Sequence, residues 1–203
     1  MKRPVELRRT KTLVYANALG AVLMFASWVS QNVYQSEMSS EMSSIDKGAQ
    51  FVSSEMSKAL TWMLTFQTEH RKPKPDPEVI LNSALGYAET TGLIVQAASR
   101  IDPDSAVLKK HVADHQKLMR PLRSAAERRD LKEIEEAVSV MMMWFGAIDR
   151  EAREAVNRRA QSVGDAEAKF KRLFLVVFGL GSLVYAWTWW KTNEDVLKRR
   201  RRV

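Results

Sequence analysis

The sequence predicts an all-α protein, an up-down-up-down four-helix bundle inserted between two transmembrane helices. Three observations carry that expectation. Two apolar stretches without a charged residue, 12–34 and 173–190, stand near the two ends of the 203-residue chain. Between them, apolar residues recur in heptad-like seams, and no segment alternates at strand period. Helix punctuation falls at three places in that region and divides it into four helices.

The first stretch reads "TLVYANALGAVLMFASWVSQNVY" and the second "LFLVVFGLGSLVYAWTWW". Eighteen helical residues rise about 27 Å, enough for a bilayer core with its flanks. Aromatic residues stand at the edges: Trp28 and Tyr34 in the first stretch, and Trp187, Trp189 and Trp190 in the second. Rings that are apolar at one end and polar at the other favour the membrane interface. A basic start, "MKRPVELRRTK", also fits a signal peptide. The Ala16–Ala18 small-residue pattern lies too early for cleavage, so the segment is expected to remain as an anchor.

Charge fixes the expected orientation. Residues 1–11 hold five Lys/Arg and one Glu, and residues 191–203 hold six Lys/Arg and two acids. Each tail is therefore +4, and the remaining 21 basic and 21 acidic residues balance, leaving the whole +8 in the tails. The positive-inside rule then puts 1–11 and 191–203 in the cytoplasm, with 35–172 outside, as in a two-pass protein of a bacterial inner membrane with its bundle in the periplasm. The closing "KRRRRV" reads as a topology anchor near anionic lipid, with no nucleic acid as partner. The absence of cysteine excludes a disulfide framework, a thiolate metal site and a cysteine nucleophile.

Four helices are expected at about 35–71, 77–101, 103–128 and 130–172. Asp76 with Pro77, Asp102 with Pro103, and Asp130 with Glu133 supply the start signals. Pro121 is expected to kink the third helix or end it near Arg120. The first seam is Met38, Met42, Ile45, Ala49, Val52, Met56, Ala59, Met63 and Phe66. The second is Ile80, Ala84, Tyr87, Thr91, Ile94, Ala98 and Ile101. The third is Val107, His111, Asp114, Leu118, Leu122 and Ala125. The fourth is Ile134, Val138, Met141, Phe145, Ile148, Ala152 and Ala155. Short connections make successive helices antiparallel.

The Ser/Glu/Met tract "SEMSSEMSSIDKGAQFVSSEMSK", residues 36–58, falls within the first helix, because a flexible linker would not hold its methionines in register. The outer helices are longer than the inner pair by roughly 17–27 Å on these boundaries. Near the membrane two polar helices then run alone, which argues for a homodimer or for other inner-membrane proteins as partners. Ala16 with Gly20, and Gly179 with Ser182, are small residues suited to helix packing within the bilayer.

Candidate chemistry is sparse. Met38 and Met42 stand one turn apart, and thioethers bind Cu(I), although methionine at this spacing also fills cores. His111 and His115 share a face at i and i+4, with Asp114 beside them as a third metal ligand. The only other histidine, His70, lies at the far tip. Alternatively His111 and His115 form a polar layer level with Thr91, Met56 and the Trp144/Phe145 pair, lining a ligand pocket or a hydrogen-bonded core. Methionines 141–143 read as packing, and Glu135 with Glu136 as solvated surface. Phosphate-loop, zinc-protease and hydrolase motifs are missing, so no enzyme activity, catalytic residue or cofactor is expected.

Basic start, span, long helix, two shorter helices, long helix, span: over residues 1–190 this order resembles the periplasmic four-helix-bundle sensor domains of bacterial chemoreceptors and sensor kinases. The resemblance implies a sensor that relays helix displacement through its spans. Those receptors continue into a large cytoplasmic signalling module, where this sequence has residues 191–203, so the resemblance also implies a separate protein that reads the signal. The other expectations from the residues are a structural or assembly subunit of a membrane complex and a periplasmic copper-binding protein.

Overall fold

A computed structural model describes the backbone of residues 3–200 and the side chains of residues 11–194. Most side chains of the two basic tails lie outside the described residues. Every regular element described is α-helical: α1 (Arg3–His70), α2 (Pro77–Ile101), α3 (Ala106–Arg128) and α4 (Leu131–Arg200). The chain forms two compact units. The terminal unit is Met1–Ser40 with Gly164–Val203, and the central unit is Glu41–Val163. Both α1 and α4 are unbroken helices that belong to both units.

In the terminal unit, α1 and α4 each contain an 18-residue window of mean hydropathy 1.6. By length and composition both can cross a membrane. The two segments pair antiparallel, since partner numbers fall on α4 as they rise on α1. The Thr188 hydroxyl lies 3.2 Å from the Asn17 amide oxygen, the Ser182 hydroxyl meets the Met24 sulfur at 3.4 Å, and the Tyr34 and Phe170 rings stack 3.9 Å apart. At the crossing, a Cβ added to Gly20 would stand 3.1 Å from the Gly181 carbonyl oxygen. Glycine permits this approach because side chains no longer hold the backbones apart.

Within the chain, Gly20 and Ser182 thus lie at the contact between the two apolar segments. Ala16 is half-buried. Nothing lies within 4 Å of where a Gly179 Cβ would be, and within the chain it is Gly181 that meets Gly20. One turn of helix is 3.6 residues, so a shift of two positions carries a residue to the opposite side.

The central unit holds a core to which all four helices contribute. From α1 come Val52, Met56, Ala59 and Phe66; α2 adds Ile80, Tyr87, Ile94 and Ala98; α4 adds Ile134, Val138, Met141 and Ile148. Most of the expected seams of α1, α2 and α4 are thus buried. The α1 seam begins later than expected, at Ile45, with Met38 only half-buried and Met42 36% exposed.

Caps explain the helix boundaries. Asp76 accepts the Glu78 N–H at 2.9 Å to start α2, and Asp130 accepts from Lys132 and Glu133 at 3.1 and 3.2 Å to start α4. The expected start of α3 at Asp102–Pro103 is wrong. Asp102 instead closes α2, its N–H donating to the Ala98 carbonyl, and Ser105 caps α3 by accepting the Leu108 N–H at 3.2 Å. Asp102 is drawn into a different role by Arg158 of α4, which donates to it at 2.9 Å and to Glu151 at 2.6 Å. Those two carboxylates hold the arginine's pKa still higher than usual.

Pro121 does not end α3, which runs on to Arg128. The α3 seam is also displaced by one residue over its first half. Val107 is 49% exposed while Leu108 is fully buried, and His115 and Met119 follow it inward. Starting the helix at Ala106 with Leu108 as the first core residue sets that register. Leu122 and Ala125 are buried as expected.

Candidate functional site

The pivot of the α2–α3 contact is a glycine. Gly92 sits inside α2, where glycine costs about 1 kcal/mol relative to alanine. A Cβ there would lie 2.5 Å from Cε1 of His115. The imidazole therefore rests directly on the α2 backbone, and its Nε2 lies 2.7 Å from the Ala88 carbonyl oxygen. A carbonyl only accepts, so Nε2 carries the proton and donates. Burial holds the His115 pKa below its ordinary value; the Ala88 bond opposes that shift and the Arg123 charge reinforces it. The ring is neutral at neutral pH.

His115 forms part of the wall of a cleft of about 560 Å³ between α2 and α3. Glu89, Leu93 and Gln96 line it from α2; Gln116, Met119, Arg120 and Arg123 line it from α3. Its size lies in the range of small-molecule sites, about 300–1,000 Å³. Among the described residues Arg120, Arg123 and Glu89 form no ion pair, whereas Arg128, Arg129, Arg153, Arg158 and Arg159 each have a carboxylate.

Of the four residues expected to line one pocket, His111 and Trp144 share a cavity with Lys110 and Asp114, and Thr91 and His115 lie outside it. Thr91 is buried, and its hydroxyl donates to the Tyr87 carbonyl at 2.8 Å. Only His115 reaches the α2–α3 cleft. The i, i+4 spacing placed both histidines on one broad face, but α2 lies against one edge of it and Trp144 flanks the other.

The metal candidates fare similarly. Among the described residues no group of three or more His, Asp or Glu is arranged to hold a metal ion. Asp114 is engaged by Lys117 at 3.3 Å, and His70 by Glu135 at 3.1 Å. Met38 and Met42 differ in burial and have no histidine near them in sequence.

Next to this contact, Tyr87 is fully buried against Phe145, ring centroids 5.8 Å apart. Among the described residues its hydroxyl has no hydrogen-bond partner; burial pushes its pKa up, and the nearby Thr91 hydroxyl offsets this only in part. Sequence reasoning missed Arg120, Arg123 and Gly92. The glycine in the middle of a strong helix was the available signal.

No protein-family model, curated protein or solved structure matches this chain.

Proposed function

We propose that this is a two-pass membrane protein whose central unit, an up-down-up-down four-helix bundle lying outside the cytoplasm, recognises a ligand or partner and passes helix displacement through the paired spans. The role is recognition without catalysis. One observation carries the reading: the terminal helix pair is turned inside out relative to a soluble hairpin. Leu19, Phe25, Trp28, Leu175 and Leu183 are 58–69% exposed, while Gly20, Gly181 and Thr188 are buried. In lipid the apolar face needs no cover, and small or polar residues form the helix contact.

The +4 tails support cytoplasmic termini. The continuous helical course of α1 and α4 from one unit into the other supports a relay. These features agree in form with the sensor domains that the order of elements resembles. A second reading, a docking subunit of a membrane complex, is favoured by apolar side chains exposed on the central unit: Leu60 at 42%, Leu64 at 57% and Met143 at 75%.

Exchange of residues 41–163 for an unrelated helical hairpin of equal length separates recognition from anchoring. The exchanged protein is expected to reach the membrane but to lose the proteins that co-purify with the natural chain. Retention of the same partners would contradict recognition by the central unit.

A further inference from the structure

We infer that the α2–α3 cleft is a binding site for a small organic monoanion, a carboxylate carried on an apolar body. The inference rests on reading the central unit as a recognition module, and it names the chemistry of its ligand. Arg120 and Arg123 stand three residues apart on α3, so they are neighbours on one helix face. Both line the cleft, and neither has a carboxylate partner among the described residues. A pair of guanidinium groups so placed presents forked N–H donors that match the two oxygens of a carboxylate.

The charge of the cleft favours a singly charged anion. The cleft holds two arginines and Glu89, with His115 donating to Ala88 as a neutral ring. Its net charge is therefore +1, which a monoanion neutralises and a cation would double. Gln96 and Gln116 face the space from opposite walls as neutral hydrogen-bonding groups. The apolar part of the ligand has a place as well: Leu93 is 44% exposed in the cleft, and Met119 lies across from it on α3. Covering Leu93 removes apolar surface from water, which an inorganic anion would not do.

Benzoate and benzamide make the test, because they share a shape and differ in charge. They are titrated at constant ionic strength into the full chain in lipid nanodiscs, with the Met119 methyl resonance as the reporter. Met119→Leu assigns the signal. Benzoate is expected to shift it saturably and to bind about tenfold or more tightly than benzamide, as a charge-assisted contact implies. Arg120→Gln with Arg123→Gln is expected to abolish that preference. Both arginines are exposed, so helicity and melting of the double variant should match the natural chain. Equal binding of benzamide, benzoate preference that survives the double variant, or a Met119 signal indifferent to benzoate would each overturn the carboxylate assignment. Loss of this assignment leaves the recognition reading to the exchange of residues 41–163, which does not depend on ligand class.

Discussion

Gly92 and His115 allow a test in which one substitution changes sign with its background. In the natural chain, Gly92→Ala puts a methyl carbon 2.5 Å from His115 Cε1. Carbon atoms in good contact stand about 3.5–4.0 Å apart, so the ring must retreat by about 1 Å or more. That retreat breaks the 2.7 Å bond to the Ala88 carbonyl. Overpacking of this kind costs about 1–3 kcal/mol, and the lost neutral hydrogen bond about 1 kcal/mol, against which the better helix propensity of alanine returns about 1 kcal/mol. The net expectation is a loss of about 1–3 kcal/mol.

His115→Ala alone removes a ring that is 8% exposed and leaves a space against α2. The expected cost is about 2–3 kcal/mol from the lost bond and the cavity together. The Ala88 carbonyl is not stranded, because it lies inside α2 and keeps its helical bond. In that background Gly92→Ala meets no ring, so only the propensity gain of about 0.5–1 kcal/mol and some filling of the cavity remain. The same substitution should therefore destabilise the natural chain and stabilise the His115→Ala chain. Thermal melting of the full chain in detergent, followed by far-UV circular dichroism, reads the cycle at about 2–4 °C per kcal/mol for a chain of this size. Additive effects would refute the packing of His115 on the Gly92 backbone.

Three further outcomes follow from the same contacts. Because the folded protein holds the His115 pKa below 6.5, the unfolded chain binds more protons in the interval beneath that value, so this group's contribution to stability should fall as pH drops through about 6.5; pH-dependent melting should lose that slope in His115→Ala, and an unchanged slope would place the histidine in solvent. Gly20→Val should force the spans apart at the Gly181 contact, so an intrachain disulfide between Met24→Cys and Ser182→Cys, efficient in an otherwise cysteine-free chain, should form far less readily; equal efficiency would contradict the crossing. Arg158→Met leaves Asp102 and Glu151 without their cation and should cost about 1–2 kcal/mol, modest because the arginine is 45% exposed; a melting temperature unchanged within a degree would show that these ion pairs add no stability.

Local signals made much of the fold legible. Asp76–Pro77 and Asp130 state where α2 and α4 begin, and side-chain oxygens satisfy free helix N–H groups at both places. Asp102–Pro103 carries the same local signal as Asp76–Pro77 but does not start α3, for a non-local reason. Arg158, 56 residues away, engages the Asp102 carboxylate, and the next polar residue, Ser105, does the capping. The α3 seam is moved by one residue, so that Leu108 and His115 turn inward in place of Val107 and Asp114. Pro121 carries the signal for a kink or an end, and α3 continues through it with Leu122 and Ala125 buried beyond.

The cleft was least legible. It depends on a ring from α3 seated on the backbone of α2, a pairing that no periodicity within either helix encodes. Gly20 and Gly181 have the same character: a small-residue pattern marks a face that can pack, and only the partner helix decides which glycine is used. Glu69 is a further case. It is buried at the end of α1, where it accepts from Lys72 at 2.6 Å and from the Asp76 N–H at 3.0 Å, and these contacts hold its carboxyl below the usual range. In the sequence it is one charged residue among many.

Topology is the central claim, and the lack of cysteine makes it directly measurable. Asp104 is exposed in the turn between α2 and α3, and replacing it leaves the Ser105 cap intact. Asp104→Cys and, separately, a cysteine appended after Val203 are each treated in intact cells or spheroplasts with a membrane-impermeant thiol reagent. The account expects immediate labelling at position 104, and labelling of the appended cysteine only after the membrane is permeabilised. Labelling of the appended cysteine with protection of position 104, or labelling of both in intact cells, would contradict a two-pass protein with its bundle outside and its basic tails within.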